Sequence, residues 1–293
     1  PLFKAALEAN PKIEQFWLSY IDALIKERQF DNAKRVLEEA KKQGAAGEKL
    51  NVLEAQLSPK TPKPNTANIS PPQELLNSLL GHYQNGRFAE AEKLSVEITQ
   101  EFPKHQLAWK VLGAIFGQTG RNSEAVDANQ TAVELSPQDA AAQNNLGITY
   151  QELGRLDEAH ASYGRAIALQ PNFAGAHFNL GVTLKDLGKL NEAETSYKRA
   201  LVLQPDYAEA HNNLGITLQE LGRFDEAEAS YTQALELQPN HAEAHFNLGI
   251  VFQELGKLVE AETNYKRVIA LQPNFSGAHF NLGVTLKDLG KLN

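Results

Sequence analysis

Residues 140–173 read AAAQNNLGITYQELGRLDEAHASYGRAIALQPNF, and this stretch decides the fold. With Ala140 as position 1, Ala142, Leu146, Tyr150 and Leu153 stand at positions 3, 7, 11 and 14, spacings that share one helical face. Gly154 follows, the residue type that ends a helix in a left-handed conformation. Asp157 precedes Glu158 and Ala159, which reads as an N-cap with an acid in the first turn. Ala159, Tyr163, Ala166 and Ile167 form a second apolar stripe. Pro171 lies just past its end, where a helix cannot readily continue. The stretch therefore predicts two helices joined by a tight turn. Gly147 and Ala159 let the two backbones approach, and the Tyr163 ring fills the remaining space.

One helix pair cannot bury its own apolar face, but stacked pairs can. The sequence on either side supplies the stack. Pro103, Pro137, Pro171, Pro205, Pro239 and Pro273 are each 34 residues apart, and Gly86, Gly120, Gly154, Gly188, Gly222, Gly256 and Gly290 keep the same step. So do Ala91, Ala125, Ala159, Ala193, Ala227 and Ala261. Six full repeats are predicted, at 72–105, 106–139, 140–173, 174–207, 208–241 and 242–275, with a half repeat at 276–293.

At these residues the chain resembles the tetratricopeptide repeat (TPR) family, whose pattern is Trp-x2-Leu-Gly-x2-Tyr, then Ala-x3-Phe, then Pro. Trp109-x2-Leu112-Gly113-x2-Phe116 fits it, followed by Ala125 and Pro137. Leu-Gly recurs at 146–147, 180–181, 214–215, 248–249 and 282–283, and Ala-x3-Tyr at Ala193/Tyr197, Ala227/Tyr231 and Ala261/Tyr265. The departures are His177, His211, His245 and His279 in place of the first Trp, and Asn129 in place of an aromatic. The resemblance implies an all-α solenoid, a right-handed superhelix, that recognises proteins or peptides along its concave groove.

Upstream the theme weakens. Leu2 to Pro11 reads as the end of a second helix, Trp17, Leu24, Ala33, Leu37 and Ala40 fit a repeat over roughly 14–47, and a further helix is predicted over Ala46–Leu57. The stretch 58–71 is proline-rich without apolar periodicity and predicts an extended linker. The organisation expected is an N-terminal helical block at 1–57, the linker at 58–71 and the array at 72–293. Both ends read as cut within a repeat, which predicts a piece of a longer protein, because solenoids need capping helices.

Composition excludes several functions. The chain has 293 residues and no cysteine, so disulfides, thiolate metal sites and cysteine nucleophiles are ruled out. No apolar run reaches the roughly 18 residues of a membrane helix, no secretory signal is visible, and a cytoplasmic protein without membrane contact is expected. Net charge is -8, divided as +2 over residues 1–68 and -10 over 69–293. An acidic array lacks the basic stripe that nucleic acid requires. No phosphate loop, dinucleotide fingerprint or nucleophile elbow occurs. No catalytic residue, cofactor or metal is expected. The four recurring histidines are too far apart to share an ion and read as partly packed helix-face residues.

At about 100° per residue, positions 2, 5, 9, 12 and 13 of the first helix lie opposite the packing face. In the family resembled they line the concave groove. Position 5 carries Phe178, Phe246 and Phe280, with Asn144 and Asn212 in the other repeats, and position 9 carries Ile148, Val182, Ile216, Ile250 and Val284. Position 12 is Gln151, Lys185, Gln219, Gln253 and Lys287, and position 13 is acidic as Glu152, Asp186, Glu220, Glu254 and Asp288. An apolar seam beside an acidic edge reads as a groove for an extended peptide with apolar and basic residues. The alternative for the seam is packing against the next repeat. Asn145, Asn179, Asn213, Asn247 and Asn281 form a further column at position 6. Asn both donates and accepts, so the column could hold a peptide backbone. It resembles the asparagine ladder of O-GlcNAc transferase and SPINDLY-type arrays; the alternative is bonding between helices. Co-chaperone members of the family bind heat-shock C-terminal carboxylates through Lys at position 5, absent from residue 140 onward.

Two functions fit this reading. One is a non-catalytic interaction scaffold. The other is the substrate-recruiting arm of a larger transferase, since the wording, including Gln15 to Leu24, resembles bacterial arrays that precede sulfotransferase or glycosyltransferase domains.

Overall fold

The computed structural model describes residues 14–26, 29–43, 49, 50, 53 and 70–291. Those residues form fifteen α-helices and no strand. The chain divides into two units, Pro1–Ile69 and Ser70–Asn293. In the first, α1 (Glu14–Lys26) packs on α2 (Phe30–Lys42). Trp17, Leu18, Ile21 and Leu24 of α1 meet Ala33, Leu37 and Ala40 of α2, and Leu50 and Leu53 join this core. The rest of the helix expected over 46–57, the stretch 58–69 and the reading of Leu2 to Pro11 lie outside the described residues.

The second unit holds thirteen helices among its described residues. They are α3 (Gln73–Gln84), α4 (Phe88–Glu101), α5 (Gln106–Gln118), α6 (Asn122–Leu135), α7 (Ala140–Glu152), α8 (Leu156–Leu169) and α9 (Ala174–Asp186). They continue as α10 (Leu190–Leu203), α11 (Ala208–Glu220), α12 (Phe224–Leu237), α13 (Ala242–Glu254), α14 (Leu258–Leu271) and α15 (Ser276–Asp288). Each helix packs on the next in sequence. Between the two helices of a repeat, Gly154 takes φ +69° and the Arg155 amide donates back to the Tyr150 carbonyl at 2.8 Å, a closure that a side chain at Gly154 would strain.

Two details differ from the sequence reading. The N-cap of α8 is Arg155, not Asp157, because the glycine turn returns the chain into helix two residues earlier. Asp157 and Glu158 instead occupy the first turn, where the helix dipole favours acids. Leu153 is 42% exposed, because α7 ends one residue before it and the turn carries it off the packing face.

The core of each repeat is a ring against a glycine. Tyr163, Tyr197, Tyr231 and Tyr265 are completely buried. A Cβ added at Gly147, Gly181, Gly215 or Gly249 would come within 2.6–2.7 Å of the paired ring. In repeat 106–139 Asn129 takes the ring's place against Gly113 and donates to Thr149 Oγ1 at 3.0 Å.

Neighbouring repeats are joined by two recurring contacts. The first runs from position 4 to the proline carbonyl before it. Trp109 Nε1 donates to Pro103 O at 2.9 Å, and His177, His211, His245 and His279 place Nε2 2.8–3.1 Å from the carbonyls of Pro171, Pro205, Pro239 and Pro273. Histidine thus replaces tryptophan as an N–H donor to the same acceptor. The second contact is an ion pair across 29 residues. Arg121 meets Glu92 at 2.6 Å, Arg223 meets Glu194 at 2.7 Å, Lys257 meets Glu228 at 2.5 Å and Lys291 meets Glu262 at 2.7 Å. The equivalent acid is replaced by Val126 opposite Arg155 and by His160 opposite Lys189.

This network has a pH signature. Burial would raise the Glu194 carboxyl, but hydrogen bonds from Lys198 and Arg223 outweigh it and hold the group below the usual carboxylate range. A depressed folded pKa stabilises above the unfolded value of about 4.3 and ceases to do so as pH falls through the folded one. Thermal melts of the chain and of Glu194→Gln should therefore differ at pH 7 and converge on acidification. A difference that persists unchanged at low pH would overturn this account.

Candidate peptide-binding face

First helices of successive repeats touch one another: α5 with α7, α7 with α9, α9 with α11, α11 with α13 and α13 with α15. Among the described residues, successive second helices have no contact of comparable extent. The stack therefore curves with its first helices on the inside, and the inner face is built from them.

Along this face the asparagine column is half-buried, one residue per first helix. Asn179 donates Nδ2 to Asn144 Oδ1 of the preceding repeat at 3.1 Å, and Asn281 Nδ2 lies 3.5 Å from the Tyr265 hydroxyl. No described group bonds the side-chain amides of Asn145, Asn213 or Asn247. The backbone carbonyls of Asn145, Asn179, Asn213 and Asn281 accept from Thr149, Thr183, Thr217 and Thr285 one turn on, at 2.8–3.0 Å, so these threonines face inward. Two members of the column are bonded within the protein, and the side-chain amides of the other three are uncommitted.

The phenylalanines are not equivalent. The Phe178 ring lies 5.9 Å from Tyr197 and 4.7 Å from Tyr207, and Phe246 lies 6.0 Å from Tyr265 and 4.9 Å from Phe275. The aromatic residue at the end of each of these repeats reaches back to cover the position-5 ring. Phe280 is 71% exposed, and the positions equivalent to Tyr197 and Tyr207 lie past residue 293. Val182, Ile216 and Ile250 are partly buried against the core, whereas Ile148 and Val284 stand in the exposed class. Glu152, Asp186, Glu220 and Glu254 are all exposed and form the acidic edge. Partial desolvation raises the Glu152 carboxyl above its ordinary value.

Position 12 holds the feature that sequence reasoning missed. Gln151 and Gln219 accept the hydroxyls of Tyr163 and Tyr231 at 2.9 and 3.0 Å, and Gln253 accepts that of Tyr265. These amides turn inward rather than lining an open groove. A signal existed: Gln and Tyr recur twelve residues apart in these three repeats, with Lys185 and Tyr197 the exception.

The comparisons with known proteins bear on the family and the fold. Sequence profiles described as tetratricopeptide repeat match residues 173–240 and 206–274, and profiles described as TPR repeat match 113–154 and 152–188. The chain belongs to the tetratricopeptide repeat family. A search of curated proteins returns no match. Among solved structures, the TPR array is similar to YrrB, a TPR protein with an unusual peptide-binding site, at 22% identity and TM-score 0.54 over 64% of this chain and 96% of that one. PilW, a type IV pilus biogenesis factor, aligns at 21% identity and TM-score 0.65 over 72% and 97% of the two chains. MamA aligns at 28% identity and TM-score 0.50 over 57% and 97%. Among the described residues no helix is long and apolar enough to cross a membrane, and no group of three or more His, Asp or Glu could hold a metal ion.

Proposed function

We propose that the TPR array of residues 70–293 is a non-catalytic interaction scaffold that binds an extended peptide segment along the inner face of its first helices. The observation that carries this reading is the asparagine column. Three of its amides are half-buried, one per repeat, and have no described protein partner, beside a row of exposed carboxylates. Amides in that position can pair with a peptide backbone of any sequence. The carboxylates favour basic side chains on the bound segment. The apolar edge of Ile148 favours interspersed aliphatic ones. YrrB, which has the same fold, is described as having a peptide-binding site.

The test is titration of the chain with an acetylated, amidated decapeptide of alternating leucine and lysine. Ile148→Ala should weaken binding several-fold, because this residue is exposed on the inner face. Phe178→Ala and Phe246→Ala should lower the melting temperature, because each removes a ring packed against two others. Unchanged affinity in Ile148→Ala would take that apolar edge out of the site. Unchanged affinity in Asn145→Ala, Asn213→Ala and Asn247→Ala together would remove the column from it.

A further inference from the structure

The repeats differ at one point of the inner face. Where position 12 is Gln, it accepts the hydroxyl of the buried tyrosine twelve residues on. In repeat 174–207 the residue is Lys185, whose ammonium has no lone pair to offer. The Tyr197 hydroxyl there is buried and has no hydrogen-bond partner. Lys185 Nζ lies 3.5 Å from the carboxylate of its own neighbour Asp186. Asn213, on the next first helix, is uncommitted as well. Asn179 has Asn144 as its acceptor one repeat back, but the residue equivalent to Asn144 for Asn213 is Phe178, which has no oxygen. The approach of Asn281 to the Tyr265 hydroxyl shows that this asparagine position reaches the tyrosine of the preceding repeat. In the other repeats a buried tyrosine hydroxyl is met from position 12 of its own repeat, and in one from position 6 of the next; at Tyr197 those two positions hold Lys185 and Asn213, and neither is bonded to it. The junction of repeats 174–207 and 208–241 thus leaves the Tyr197 hydroxyl without an acceptor and the Asn213 amide uncommitted.

The acceptor that fits is uncharged. Burial first, then the Asp186 and Glu220 carboxylates, push the Tyr197 hydroxyl up from its ordinary pKa, so it keeps its proton. The same two carboxylates would repel an incoming carboxylate. We infer that this junction is a subsite for one backbone carbonyl oxygen of a bound extended peptide, with Tyr197 and Asn213 donating to it after the Lys185 side chain swings toward solvent. The inference rests on the reading of the inner face as a peptide groove. It adds a register point, because in the repeats on either side the tyrosine hydroxyl is already held by glutamine.

The experiment is isothermal titration of the 293-residue chain with the same capped leucine–lysine decapeptide, comparing Tyr197→Phe with Tyr231→Phe. Tyr197→Phe should weaken binding about five-fold, equivalent to about 1 kcal/mol, with no fall in melting temperature. Tyr231→Phe should leave affinity within about two-fold while lowering the melting temperature, since its hydroxyl is bonded to Gln219. Equal affinity of Tyr197→Phe and the unmodified chain overturns the subsite and leaves the groove reading standing. Equal weakening by the two substitutions also overturns it, because a general loosening would then explain both. No binding to the unmodified chain overturns the groove reading and the subsite with it.

Discussion

Gly215→Ala should destabilise the array by about 2 kcal/mol, while Gly283→Ala should leave it unchanged or make it slightly more stable. The two glycines hold the same position of their repeats, so helix propensity favours alanine equally at both, by up to about 1 kcal/mol. Their surroundings differ. A Cβ at Gly215 would lie 2.7 Å from Tyr231 Cε1 and 2.8 Å from Cδ1. That ring is completely buried, and its hydroxyl is tied to Gln219, so it cannot retreat without giving up a hydrogen bond or opening the packing of α11 on α12. Forcing an extra methyl into such a contact costs about 1–3 kcal/mol beyond what propensity returns. At Gly283 nothing lies within 4 Å in the 293-residue chain, since the ring's position sixteen residues on falls past Asn293, and only the propensity term remains. Stability in a solenoid sums over repeats and their interfaces, so the loss should appear as faster amide exchange centred on α11 and α12 rather than as uniform loosening. Equal urea midpoints for the two variants would show that the ring moves at no cost.

The glycine–tyrosine contact was legible before the structure, since Gly147, Ala159 and Tyr163 sit at the spacings that close helix packing needs. Helical arithmetic also set positions 5, 9 and 13 opposite the packing stripe, and the family resemblance implied that this side is the inner one. The arithmetic fails where the partner of a side chain comes from elsewhere in the chain. It places Phe178, Phe246 and Phe280 alike, yet Tyr207 and Phe275 fold back over the first two. It places Gln151 and Lys185 alike, yet one accepts a buried hydroxyl and the other has nothing to give it. It describes the recurring histidines as partly packed, which holds for His177, His211 and His245 but not for the exposed His279, and not as donors to a proline carbonyl six residues earlier. In each case the period fixes the direction of the Cβ, while the acceptor or ring it meets lies on another element.

Lys185→Gln tests the most consequential of these differences and should stabilise the array by about 1–2 kcal/mol. A buried hydroxyl without a partner costs about 1–3 kcal/mol, and a new hydrogen bond returns about 1. Glutamine at this position makes that bond in three other repeats of the same backbone, so its geometry is already demonstrated. Little opposes it. Lysine and glutamine have similar helix propensity, and the Lys185–Asp186 pair at 3.5 Å is solvent-facing enough to contribute well under 1 kcal/mol. The reverse change, Gln219→Lys, should cost a comparable amount by stranding the Tyr231 hydroxyl. Urea unfolding of both variants against the unmodified chain measures the pair. If Lys185→Gln brings no gain while Gln219→Lys brings a loss, the Tyr197 hydroxyl is already satisfied in solution, and its use by a ligand would have to displace whatever satisfies it. A gain in the first and a loss in the second would mean that the repeat carries lysine at the expense of its own stability. That pattern is expected of a residue retained for binding rather than for folding.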